Sequence, residues 1–251
     1  MDNSIEYNVV EPNAALAELV ENFWVLRNNA AEPREIVVLP DGRVDLFFSY
    51  SPQEAFEARL MGLAAQPDVA TLAPGMVTFA VSFRLPALEY VLNMPIAALF
   101  NGTCALPQGF WDVSKDDLTD LPAFIETVSQ RIVTHLRGAT DPRKQALFNA
   151  IYSSQGELTV QELADTAGWS SRQINRYFTS WFGLSLKAYC SILRFRASFG
   201  HIKEGKFFPE QNFADQPHFI REIKKFSGVN PKILFKNKDD RFIQFSLLKG
   251  K

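Results

Sequence analysis

The sequence predicts an α+β chain in two parts. A β-rich N-terminal domain, barrel-like or a small sheet with helices, precedes an all-α domain built from two similar helical units joined by a long helix. Three observations predict this. Strand-like runs fill the first hundred or so residues, the apolar period turns helical from residue 121, and the sign of the charge changes near residue 140. The boundaries read as 1–120 for the β-rich domain, 121–141 for a helix and linker, 142–238 for the helical domain and 239–251 for a tail.

At 251 residues, 47% hydrophobic and 22% charged, the chain has the material for one large or two ordinary domains with a full core. It has no apolar run of about 18 residues, so no spanning helix is expected. The start, MDNSIEYNVVEPN, lacks a secretory apolar stretch. Cys104 and Cys190 are too few for a disulfide framework and suit a reducing cytoplasm. His135, His201 and His218 are scattered without ligand spacing, so neither a metal nor another cofactor is expected. The net charge of −2 hides an asymmetry: residues 1–140 carry 8 Lys and Arg against 18 Asp and Glu, while residues 141–251 carry 18 against 10. A basic half on an acidic half suits contact with a polyanion, and chance clustering of surface charge gives the same sums.

In the first part, EIVVLP and RVDLFFSY flank Asp41-Gly42, the signature of a hairpin turn. VTFAVSF (77–83) alternates, and PALEYVLN (86–93) reads as a short helix that tolerates Pro86 in its first turn. Over 121–138 an apolar stripe of Leu121, Phe124, Ile125, Val128, Ile132, Val133 and Leu136 marks a helix closed by Gly138. Its width and lack of heptads favour packing on the chain's own sheet over pairing with a second copy. Arg43, Asp45 and Arg84 stand in or beside apolar strand runs, and buried charge needs a partner. An Asp45–Arg84 structural pair and a ligand-facing pair in a barrel mouth are both open. Trp24 and Phe83 read as core.

Helices follow over about 142–154, 159–167, 171–182, 185–203, 216–226 and 230–236. Thr159 with Glu162 has the spacing of a capping box, and Ser170 or Ser171 can cap the next helix. Within VQELADTAGWSSRQINRYFT, Ala164, Gly168 and Ile174 give the small contact residue, the turn glycine and the inward apolar residue of a helix-turn-helix. Ile174, Phe178 and Trp181 then share one face, and Arg172, Asn175, Arg176 and Thr179 the other. These outer side chains suit base edges and phosphates. An amphipathic helix with a solvated polar face would look the same in isolation. The arrangement recurs 45 residues later, however, where Phe219, Ile223, Phe226 and Gly228 replace Ile174, Phe178, Trp181 and Gly183. The outer face becomes Pro217, Ile220, Arg221 and Lys224, with Lys225 beside it. A helix over 185–203 spans about 27 Å, near the separation of about 34 Å between successive major-groove faces.

Two helix-turn-helix units joined by a long helix, with QPHFIREIKKFSGVNP in the second, resemble the DNA-binding domain of the AraC/XylS transcription regulators. The resemblance covers about 142–236 and implies sequence-specific binding to double-stranded DNA, contact with RNA polymerase, and an N-terminal half that senses a small molecule or forms a homodimer. It places base contacts at Arg172, Gln173, Asn175 and Arg176, with Ser171 and Thr179 alongside, and at Gln216, Pro217, His218 and Arg221. It places phosphate contacts at Lys224 and Lys225. The second unit departs from the pattern at FFPEQN (207–212): Phe208 stands at the small position and Asn212 at the turn glycine, so a short or shifted supporting helix is expected. FWVLR, LPDGRVDLFF and VTFAVSFRLPALEYVL resemble the N-terminal module of a subset of these regulators. The alternative is a protein-interaction module whose basic face docks an acidic partner. An enzyme is the weakest reading, because the sequence has no nucleophile–base set and no phosphate loop; no catalytic residue is expected.

Overall fold

The computed structural model describes residues 4–210 and 213–246. Two compact units divide the chain. The first comprises Met1–Glu35, Arg43–Gly62 and Thr71–Ala139; the second comprises Ile36–Gly42, Leu63–Ala70 and Thr140–Lys251.

In chain order the elements begin with strands β1 (Ile5–Val10), β2 (Val20–Asn28), β3 (Arg34–Val38), β4 (Val44–Tyr50), β5 (Glu57–Met61), β6 (Asp68–Leu72) and β7 (Val77–Phe83). Helix α1 (Pro86–Tyr90), strand β8 (Thr103–Ala105) and helix α2 (Leu121–His135) complete the N-terminal half. Then come α3 (Pro142–Ser153), α4 (Val160–Ala167), α5 (Ser171–Phe182), α6 (Leu186–Ala197), α7 (Phe199–Lys203), α8 (Gln216–Ser227), α9 (Pro231–Lys236) and α10 (Ile243–Ser246). Among the described residues no helix is long and apolar enough to cross a membrane.

The first unit is built on a six-stranded sheet of order β1-β2-β7-β4-β5-β8. One face carries Phe23, Val25, Leu46, Phe48, Phe79 and Val81, all buried. Helix α2, capped by the Asp120 carboxylate on Ala123 N–H, closes that face. Its Phe124 lies 6.3 Å from Phe23, 6.1 Å from Phe48 and 5.4 Å from Phe79, ring centre to ring centre. The helix packs on its own sheet, as the wide stripe predicts, but the stripe stops short: Val133 is 62% and Leu136 48% exposed.

The Asp41-Gly42 hairpin does not form. Strand β4 has β5 and β7 as its two neighbours in the large sheet, while β3 joins β6 in a two-stranded sheet. Gly42 does adopt the left-handed φ of +78° that its sequence signals, but for another reason. It packs in the second unit, where its carbonyl accepts from the buried Tyr189 Oη at 2.9 Å and an added Cβ would lie 2.8 Å from Leu193 Cδ2. The tail also finds a place in that unit. Gln244 donates to Leu39 O and accepts from Leu39 N–H, each at 3.0 Å, and Phe242 and Phe245 are buried. Residues 247–251 lie outside the described residues.

The connecting helix expected over 185–203 is present as α6 and α7, separated only by Ser198, itself in helical φ/ψ. The Ser198 hydroxyl donates to Arg194 O four residues back, a bond that bends helices.

Candidate nucleic-acid interface

Both outward-facing helices belong to the second unit. In the first helix pair, Thr159 and Glu162 form the capping box of α4: Glu162 N–H donates to Thr159 Oγ1, and Thr159 N–H to Glu162 Oε2 at 2.7 Å. The Thr159 N–H and then the Thr159 hydroxyl, both donating to Oε2, hold the Glu162 carboxyl below the usual carboxylate range. Ala164 is fully buried, so the pair can approach closely. Gly168 ends α4 in the left-handed region at φ +63°, where a Cβ would be strained. Ser170 then caps α5, and Gln173 returns the bond through Oε1 at 2.8 Å to Ser170 N–H.

Helix α5 buries Ile174, Phe178 and Phe182. Phe182, rather than Trp181, completes the stripe, and Trp181 is half-buried against Tyr177. Arg172, Gln173, Arg176 and Thr179 are exposed; Ser171 and Asn175 are half-buried. Asn175 Nδ2 donates to Ser171 O at 3.0 Å and Thr179 Oγ1 to Asn175 O at 2.8 Å, so both side chains lie along their own helix. Ser171 Oγ donates to Gln161 Oε1 at 3.1 Å. Arg172 and Arg176 make no ion pair among the described residues. An open cleft of about 860 Å³ borders this helix, lined in part by Ser171, Asn175, Lys187 and Arg194.

Helix α8 repeats the plan with a different support. Asp215 caps it through His218 N–H, Pro217 occupies the first turn, and Gly228 ends it at φ +74°. Phe219, Ile223 and Phe226 are buried. Phe226 lies 5.3 Å from Phe195 of α6, and Phe219 lies 5.5 Å from His201 of α7. Where a supporting helix was expected, residues 204–210 run as a turn at Glu204 and Gly205, a bend at Phe208 and otherwise irregular chain; Gln211 and Asn212 lie outside the described residues. Pro209 has no N–H for a helix interior, and Phe208 is 52% exposed rather than wedged against α8. Lys206 ties this loop by ion pairs of 3.0 Å to Glu204 and to Glu210.

On the outer face of α8, Gln216, Pro217, Ile220, Arg221, Lys224 and Lys225 are exposed and His218 is half-buried. Gln216 Nε2 donates to Phe207 O at 3.2 Å, and His218 Nδ1 accepts from Ala214 N–H at 3.2 Å. Lys225 sits 3.7 Å from Glu222 and over the Phe226 ring. Arg221 and Lys224 make no ion pair among the described residues.

The first unit holds the three remaining sequence-predicted site residues. Asp45 is half-buried on β4, directly across from Ser82 of β7, and its carboxylate accepts from the Ser82 hydroxyl. Trp24 Nε1 donates to that same hydroxyl at 3.1 Å. Arg84 pairs through Nε with Glu21 Oε2 at 2.8 Å. Sequence reasoning missed Glu21. The register of β2 and β7 shifts between Val20 and Asn22, and such a bulge re-aims a side chain. Arg43, at the start of β4, is half-buried. Among the described residues no group of three or more His, Cys, Asp and Glu side chains could hold a metal.

The model of a domain of unknown function, DUF6597, matches residues 8–105. The likeness covers the N-terminal part alone. No curated protein matches the chain. Among solved structures, ToxT from Vibrio cholerae at 1.65 Å resolution is 12% identical, covers 93% of this chain and 98% of its own, and superposes with a TM-score of 0.45. Unsaturated fatty acid bound ToxT from Vibrio cholerae strain SCE256 is 13% identical over 94% of this chain and 96% of its own, with a TM-score of 0.39. ToxT from Vibrio cholerae O395 bound to (E)-4-(8-methylnaphthalen-1-yl)but-3-enoic acid is 14% identical over 93% and 98%, with a TM-score of 0.40.

Proposed function

We propose that this chain is a sequence-specific DNA-binding transcription regulator of the AraC type, controlled through its N-terminal half by a small molecule or by dimerisation. One observation carries the reading. Two twelve-residue helices in one compact unit share an N-terminal side-chain cap, a buried stripe and a left-handed terminal glycine, and each turns outward cations that make no ion pair among the described residues. A duplex offers phosphates to such cations and base edges to the shorter polar groups between them. In the first unit, the Trp24–Ser82–Asp45 chain on a half-buried sheet face supports a polar ligand site near Asp45, with Arg43 and Arg84 as its basic neighbours.

The test is DNA affinity as a function of salt. The native chain is expected to show a steep negative slope of log K against log salt. Changing Arg176 and Arg221 together to Ala should weaken binding at least tenfold and flatten the slope by about one to two phosphate contacts. Undiminished affinity in the double variant would sink the proposal.

A further inference from the structure

We infer that Ile220 reads the 5-methyl group of thymine, so that α8 makes an apolar base contact at the position where α5 carries the amide of Asn175. This rests on the DNA-binding reading above and names the chemistry that one of its two helices selects.

The argument starts from what α8 can present. Its inner face is filled by Phe219, Ile223 and Phe226, all buried. Ile220 flanks that stripe and is 38% exposed, whereas Ile223 is fully buried. Its neighbours on the outer face are Pro217 one turn before it, Arg221 beside it and Lys224 one turn after it, all exposed. The two polar side chains at the start of the helix are partly engaged inside the protein, Gln216 on Phe207 O and His218 on Ala214 N–H. Lys224 and Lys225 suit phosphates, which position a protein without specifying sequence, and Arg221 suits guanine as its counterpart Arg176 does.

The comparison with α5 sharpens this. The position equivalent to Ile220, 45 residues earlier, is Asn175, a polar side chain whose Nδ2 donates to Ser171 O and whose Oδ1 can still accept from a base. Ile220 has no donor or acceptor. In the major groove the one apolar group on a base edge is the thymine methyl, so contact with that methyl is the discrimination a β-branched aliphatic can make there. The flanking cations would hold the helix against the backbone at the range this contact needs. α5, with Arg172 and Arg176 outward, has the side chains that pair with guanine.

The experiment uses the full chain. Bound sites are selected from fragmented genomic DNA, and each thymine of a selected site is then replaced singly by deoxyuridine, which removes the methyl and leaves every hydrogen-bonding group. At one or two thymines the native chain should lose about three- to fivefold in affinity, the size expected for one buried methyl. The Ile220→Ala chain should bind the thymine and deoxyuridine forms of those positions equally, with an unchanged salt slope. Ile220 is 38% exposed, so the Ala chain is expected to lose some stability, and the ratio of thymine to deoxyuridine binding is therefore read within each chain, where that loss cancels. Selective binding with no deoxyuridine effect in the native chain, or an equal effect in both chains, would overturn the inference and leave the DNA-binding reading standing. Failure of the native chain to select any site would overturn both.

Discussion

His201 is the most exacting side chain in the second unit. It is buried under Phe219, and neither ring nitrogen has a hydrogen-bond partner among the described residues. Burial pushes its pKa below the ordinary value of 6.5; Glu210, 3.8 Å away, and Glu204 pull it back up, while Lys206 pushes it further down. The folded ring therefore holds fewer protons than the unfolded one. Stability from this site is present above pH 6.5 and is lost as the pH falls below it. Chemical denaturation between pH 7 and 5 should show the second unit weakening, and His201→Leu should flatten that dependence; an unchanged slope would count against the assignment. Other residues were legible at this scale without coordinates. Ile174 and Phe178 face inward because period and polarity agree. Trp181 and Phe182 were not separable, since both are aromatic at neighbouring positions and the packing partner decides which one is buried.

Among elements, the two outward helices owe their starts to side chains rather than to propensity. Ser170 and Asp215 each accept an N–H of the first turn that would otherwise lack a partner. Ser170→Ala should cost about 1 kcal/mol of stability in denaturant titration and weaken DNA binding further than that loss alone, because Gln173 Oε1 would lose the Ser170 hydroxyl and keep only the backbone N–H. Asp215→Ala, at a helix that no supporting helix precedes among the described residues, should reduce binding more than Ser170→Ala at equal loss of stability. The Thr159–Glu162 capping box, the turn glycine Gly168 and the strand VTFAVSF could be read from sequence because each is decided within a few residues. The Asp41-Gly42 hairpin was misread because a turn signal fixes local φ, whereas strand partners are chosen by distant residues: β4 had better neighbours in β5 and β7. The FFPEQN departure was visible as a proline and a phenylalanine out of place. The loop that replaces the helix, tied by Lys206 to Glu204 and Glu210, was not.

For the whole molecule, the change of charge sign near residue 140 was a fair guide to where the basic unit lies. It could not reveal that Ile36–Gly42 and Leu63–Ala70 belong to that unit as well. Those segments supply the Leu39 backbone that pairs with Gln244, the Gly42 carbonyl under Tyr189 Oη, and Pro67 beside Gly228. A fragment beginning at Thr140 is therefore expected to melt at least several degrees below the same unit in the full chain, because its Tyr189 hydroxyl loses the Gly42 carbonyl and its Gln244 amide the Leu39 backbone. Differential scanning calorimetry of the two would show it, and equal melting would contradict the expectation. The backbone passes between the units at Glu35–Ile36, Gly42–Arg43, Gly62–Leu63, Ala70–Thr71 and Ala139–Thr140. Interleaving of this kind bears on heredity as much as on folding. A recombination event that swaps everything after Ala139 for a relative's sequence would import a helical cassette without the two short segments it was fitted to. The halves of such a chimera would need matching at Leu39, Gly42 and Pro67 before either could be exchanged freely.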